Sequence, residues 1–115
     1  VLYNKTGKKK LVGRVRFADS TLSKARGLMF EKRERFDYAL VFSFGRETRL
    51  GASIHMLFVF FPIAAVYLDS KKRVVDIAVL KPFALNYVPK KPAAYLIELP
   101  VEKATNIKIG DFLDW

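Results

Sequence analysis

The chain has no cysteine and a single histidine, His55, and these two scarcities exclude much of the chemistry that small domains use. Without cysteine there is no disulfide framework, no thiolate metal site and no thiol nucleophile, and the redox compartment leaves no mark. With one histidine there is no His pair, so a zinc site would need carboxylates brought from distant parts of the chain. No phosphate-binding loop, dinucleotide fingerprint, nucleophile elbow or metal motif occurs. The sequence therefore calls for no cofactor and no metal. Repeats, low-complexity tracts and linkers are absent as well, which leaves one domain over residues 1–115.

A membrane-spanning helix is also missing. The longest uncharged run, Leu50 to Leu68, has the length of a span but contains Gly51, Ser53, His55 and Pro62, and its β-branched and aromatic residues suit strands. The chain starts at Val1, so both a cytoplasmic protein and one exported after removal of an N-terminal segment remain open. Acidic residues are scarce: 21 Lys and Arg stand against 11 Asp and Glu, a net charge of +10. Most of the excess falls in residues 1–49, with 13 cations against 5 acids. Such a field attracts nucleic acid, anionic membrane surfaces or acidic polymers. Lysines that keep strand edges from pairing give the same pattern.

What the chain does have is apolar bulk. Just over half of it, 51%, is hydrophobic, including ten Phe and five Tyr, enough for a core without staples and suited to pleated sheets. Leu11 to Phe17 alternates like a half-buried strand with Arg14 and Arg16 outward. Asp19 or Ser20 is placed to cap one short helix over about residues 21–28, with Gly27 to stop it. Tyr38 to Phe44 is apolar on both faces and reads as a central strand. Strands are expected over Ala52 to Phe60 and Ile63 to Leu68, separated by Pro62, which cannot donate to a ladder. Asp69-Ser70-Lys71-Lys72 turns the chain into Arg73 to Val79. After the proline-rich loop Lys81 to Pro92 come a strand at Tyr95 to Leu99, a helical turn near residues 101–105 opened by Pro100, and a closing strand after Gly110-Asp111. The expected fold is mainly β: a single-domain antiparallel β-sandwich or barrel-like fold with that one short helix.

Five blocks carry a family resemblance: Lys24-Ala25-Arg26-Gly27-Leu28-Met29-Phe30; Met56 with Pro62 to Asp69; Arg73 to Ile77; Tyr95 to Pro100; and Ile107 to Asp111. In order and spacing they resemble the family known as domain of unknown function 192, over nearly the whole chain. The resemblance implies a small β-sandwich or barrel-like domain with one short helix, and no reaction. Many members resemble F-W-M-K-N-T-x-x-P-L-D where this chain has Ile54 to Val59 and Pro62 to Ala64. The polar positions of that pattern are apolar here, so a polar site there does not carry over.

Few residues stand out as candidates. Glu98 lies in an apolar strand, where a carboxylate must be paired or exposed, and Arg26 or another Arg is the expected partner. The loop places Phe83 and Tyr87 among Lys81, Lys90 and Lys91, and long loops with such residues tend to carry binding sites. Arg26, Lys81, Phe83, Tyr87, Lys90 and Glu98 are thus the candidate ligand-binding residues, with none catalytic. The leading expectation is a non-catalytic binding domain for an anionic or polymeric partner such as nucleic acid. The alternatives are self-association into a homo-oligomer through Leu57 to Phe61, and a small hydrolase-like enzyme using carboxylates and Arg.

Overall fold

A computed structural model describes residues 1–20 and 27–115. Among the described residues eight strands follow in order: β1 (Leu2–Asn4), β2 (Lys9–Val12), β3 (Val15–Phe17), β4 (Ala39–Thr48), β5 (Ile63–Leu68), β6 (Val74–Leu80), β7 (Ala93–Leu99) and β8 (Leu113–Asp114). They form two sheets, β2-β1-β8 and β3-β4-β7-β5-β6, with no closed barrel. All pairings are antiparallel except that of β3 with β4.

The large sheet is covered on both faces. On one face Val41, Val66, Leu68, Val74, Ile97 and Leu99 pack against Leu2, Leu11, Val12 and Leu113 of the small sheet. On the other, Leu40, Phe42, Ile63, Tyr67, Leu80 and Leu96 pack under Leu28, Phe36, Met56, Val59 and Phe61 of the loops. Strand β5 is hydrogen-bonded on both edges and buried at every position, which is why Ile63-Ala64-Ala65-Val66-Tyr67-Leu68 has no polar alternation. Its hairpin to β6 is closed by Asp69, whose Oδ1 accepts from the amides of Lys71 at 2.9 Å and Arg73 at 3.0 Å. Buried Asn4 ties the two chain ends together: its Nδ2 donates to the Asn106 carbonyl at 3.0 Å and to Asp111 Oδ2 at 2.9 Å.

Two expectations are modified. The single strand over Leu11 to Phe17 is two strands in different sheets, because the chain passes from one sheet to the other at Gly13-Arg14 and the alternation resets. Leu11 and Val12 are accordingly both buried, while Phe17 is 54% exposed. No strand occupies Ala52 to Phe60. A 3-10 turn at Leu50–Ala52 leads into a loop that makes one bridge, Ile54 to Tyr87, and bonds the Met56 amide to the Ala84 carbonyl at 2.7 Å. Partners in the proline-rich loop thus replace a ladder. Most of the expected helix over residues 21–28 lies outside the described residues, and Gly27 to Phe30 forms a turn. The helical turn after Pro100 is present as a 3-10 turn at Val101–Lys103.

Candidate binding site

Register places Glu98 of β7 between Leu40 of β4 and Ala65 of β5, with its side chain on the loop-covered face. It is 4% exposed, and its Oε1 has no hydrogen-bond partner among the described residues. Burial pushes the carboxyl up to about 8, so at neutral pH it is mostly a neutral acid. Gly27 passes directly over it at φ +52°, where a Cβ would stand 3.7 Å from Oε1 and 3.6 Å from Cζ of Phe42. Arg26, the partner expected from the sequence, lies outside the described residues.

Gly27 also lines a cleft of about 100 Å³ with Arg16, Phe17, Ala18, Glu31, Tyr38 and Leu40. Tyr38 donates its hydroxyl to Glu31 Oε2 at 2.6 Å, and burial, then this bond, raises the phenol well above its ordinary range. The guanidinium groups of Arg14 and Arg16 each lie 4.9 Å from the Tyr38 ring centroid. Arg14 also approaches Asp37 at 3.5 Å, an exposed pair that contributes little to stability. Both arginines flank Val15 on β3, an edge of the large sheet, so their charges face outward.

A larger hollow of about 450 Å³ shares Phe17 and Ala18 with the cleft in its lining and is lined further by Asp19, Ser43, Phe44, Tyr95 and Trp115. It opens where β4 leaves its register with β7 between Ser43 and Thr48, a departure that Gly45 permits at φ +76°. Trp115 meets Tyr95 edge-on at 5.1 Å, and Lys72 Nζ stands 4.0 Å over its indole. Lys72 also reaches Asp114 at 3.3 Å. The Trp115 amide, then Lys72, holds the Asp114 carboxyl below its ordinary range.

The loop candidates divide. Tyr87 is half-buried, stacks on Tyr67 at 6.1 Å and donates its hydroxyl to Asp76 Oδ2 at 2.6 Å. The Lys90 amide donates to the same oxygen at 3.0 Å, leaving the Lys90 side chain exposed. Burial and then Asp76 push the Tyr87 phenol up to about 12. Phe83 points elsewhere, into a group of exposed rings with Phe58 and Phe60, and Lys81 is exposed at the start of the loop. Tyr87 and Lys90 are therefore brought together, Glu98 is linked to them only through Tyr67, whose phenol is raised by burial and then by Glu98, Tyr87 and Asp76, and Phe83 lies elsewhere. Sequence reasoning missed Asp76, although it lies between Val75 and Ile77 much as Glu98 lies between Ile97 and Leu99. It also missed the convergence of Arg16, Tyr38 and Glu31, for which no local signal exists.

These features define a class: a two-sheet, mainly β domain with a buried acid beneath a glycine turn and a basic edge strand between two hollows. The chain belongs to the domain of unknown function 192 family, whose model, described as Uncharacterized ACR, matches residues 2–115. It is 42% identical over 116 residues to UPF0127 protein PF1050 of Pyrococcus furiosus, covering 99% of this chain and 97% of that one. It is 45% identical over 117 residues to a UPF0127 protein of Thermococcus sibiricus, covering 100% of this chain and 74% of that one. A crystal structure from Sinorhizobium meliloti 1021 superposes with a TM-score of 0.79 at 20% identity, covering 98% of this chain and 88% of that one. A protein of unknown function from Novosphingobium aromaticivorans gives 0.76 at 21%, covering 88% and 74%. At such identities the likeness is one of fold.

Proposed function

We propose that the domain is a non-catalytic binding module for an anionic polymer that crosses the β3 edge. The carrying observation is that two separate hollows at the β3 edge share Phe17 and Ala18 in their linings, one flanked by Arg16 and Tyr38, the other lined by Phe44, Tyr95 and Trp115. Anionic groups of the polymer pair with Arg14 and Arg16, and its planar or apolar units enter the aromatic hollow. Alternating cations and rings are the arrangement that holds single-stranded nucleic acid, where phosphates provide salt-dependent affinity and bases stack without strict sequence choice. The strongly basic first half of the chain supports the same reading.

Trp115 is the single tryptophan and lines the hollow, so its fluorescence reports occupancy directly. Titration with oligothymidylate should quench it at low salt, with affinity falling by about 0.7 log units per log unit of salt for each phosphate neutralised. Arg14→Ala combined with Arg16→Ala should weaken binding and flatten that slope. An unquenched Trp115 at low salt, with oligothymidylate and heparin alike, would reject the proposal.

A further inference from the structure

We propose that a second face, made by the loops over the core, docks onto a lipid bilayer containing anionic headgroups. Four phenylalanines meet there: Phe30 and Phe58 stack at 4.9 Å, Phe58 meets Phe83 at 6.1 Å, and Phe60 meets Phe83 at 5.1 Å. All four rings are exposed, Phe30 and Phe60 each by 61%. Leu57 and Leu85, from the loops that carry Phe58, Phe60 and Phe83, are exposed as well. Water-facing apolar groups of this kind mark interaction surfaces. Three of the rings stand on left-handed backbone, at φ 63° for Phe30, 57° for Phe58 and 61° for Phe83, a region that bulky residues rarely adopt. The Phe30 amide bonds to the Phe58 carbonyl at 2.8 Å and the Phe83 amide to the Met56 carbonyl at 3.0 Å, so the main chain fixes these positions.

The charges around the rings identify the occupant. Residues 54–61 and 81–92 contain no Asp or Glu, whereas Lys81, Lys90 and Lys91 are exposed in the second segment. Lys32, two residues after Phe30, is exposed too. Glu31, beside Phe30, turns its carboxylate to the Tyr38 hydroxyl and the Lys32 amide. Apolar rings with Lys32 and Lys81 as near chain neighbours, on loop segments 54–61 and 81–92 that carry no carboxylate, match an anionic bilayer, whose acyl region accepts the rings while its phosphates meet the lysines. A symmetric dimer through this face would set like charges opposite one another. Base stacking is disfavoured because Phe30 and Phe58 already cover a face of each other. None of these ring residues lines the cleft or hollow at β3, so the proposal does not rest on polymer binding there.

The test is co-sedimentation of the full chain with phosphatidylcholine vesicles, with and without phosphatidylglycerol. Partitioning should be at least about tenfold stronger with phosphatidylglycerol and should weaken with salt. Phe58→Asn combined with Phe83→Asn should lower it at least about tenfold. Asparagine accepts left-handed backbone, and a thermal melt verifies that the variant folds. Phe60→Ser, outside the left-handed positions, is the second variant, with the same loss expected. Oligothymidylate quenching of Trp115 should stay unchanged in both. Wild-type protein left in the supernatant with phosphatidylglycerol vesicles at low salt overturns the proposal. So does undiminished pelleting of both variants, or a dimer that the same substitutions dissociate while vesicles bind nothing.

Discussion

Gly27 and Glu98 are stacked so closely that a Cβ on the glycine would lie 3.7 Å from the carboxyl oxygen beneath it. That separation is an ordinary contact, so space alone would admit alanine. The backbone is what resists, since Gly27 sits at φ +52°. Gly27→Ala should therefore cost about 1–2 kcal/mol, the penalty of an L-residue in left-handed conformation, with little further loss from crowding. Urea denaturation of the two proteins measures it.

The Glu98 carboxyl gives stability a direction with pH. Its value rises from 4.5 to about 8 on burial, so between these limits the folded state holds a proton that the unfolded chain has released. Protons bound in excess by the folded state make stability fall as pH rises, by up to about 1.4 kcal/mol per pH unit across that window. Glu98→Gln keeps the shape and cannot ionise. Denaturation from about pH 5 to about pH 9 should show the wild type losing stability relative to the variant, with the variant the more stable at the alkaline end. Parallel profiles would mean that Glu98 is not held as a neutral acid.

Asp76 is nearly inaccessible, and Tyr87 is one of its two described donors, at 2.6 Å. Tyr87→Phe leaves the stack on Tyr67 in place and removes the hydroxyl. A buried carboxylate then retains the Lys90 amide as its one donor among the described residues. The expected loss is about 1.5–3 kcal/mol, the range for a bond to a charged group. A loss well below that, read by thermal unfolding, would indicate water taking the place of the hydroxyl.

How far the sequence reveals this architecture depends on whether the determining contacts are local. Strand β5 and its turn were legible because a fully apolar run followed by Asp69-Ser70-Lys71-Lys72 contains its own instructions. The passage between sheets at Gly13-Arg14 was not, since both halves alternate like strands and only their partners differ. Ile54 to Phe60 has the composition of a strand, yet its backbone partners lie near residues 83–87, and a distant segment decides the outcome. Glu98 stood out as an acid in an apolar strand. That its Oε1 finds no partner among the described residues depends on the loops packed over it. The four clustered phenylalanines come from three separate loops, so no window of sequence brings them together.

Left-handed backbone at ordinary residues separates fold from function in one comparison. Lys8 at φ 52° and Phe58 at φ 57° carry the same kind of strain, and asparagine relieves it at either position. Lys8 is an exposed residue of the β1–β2 turn, so Lys8→Asn should raise stability by about 0.5–1 kcal/mol. At Phe58 the relief is offset by losing ring contacts to Phe30 and Phe83, worth about 0.5–1.5 kcal/mol each, so Phe58→Asn should be neutral to destabilising. Calorimetric melts should therefore show a gain for Lys8→Asn and no gain for Phe58→Asn. If Phe58→Asn instead stabilises as much as Lys8→Asn, the ring contacts contribute nothing to folding. The strained phenylalanine then persists without a stability benefit, and a role in binding becomes the remaining reason for its place in the loop.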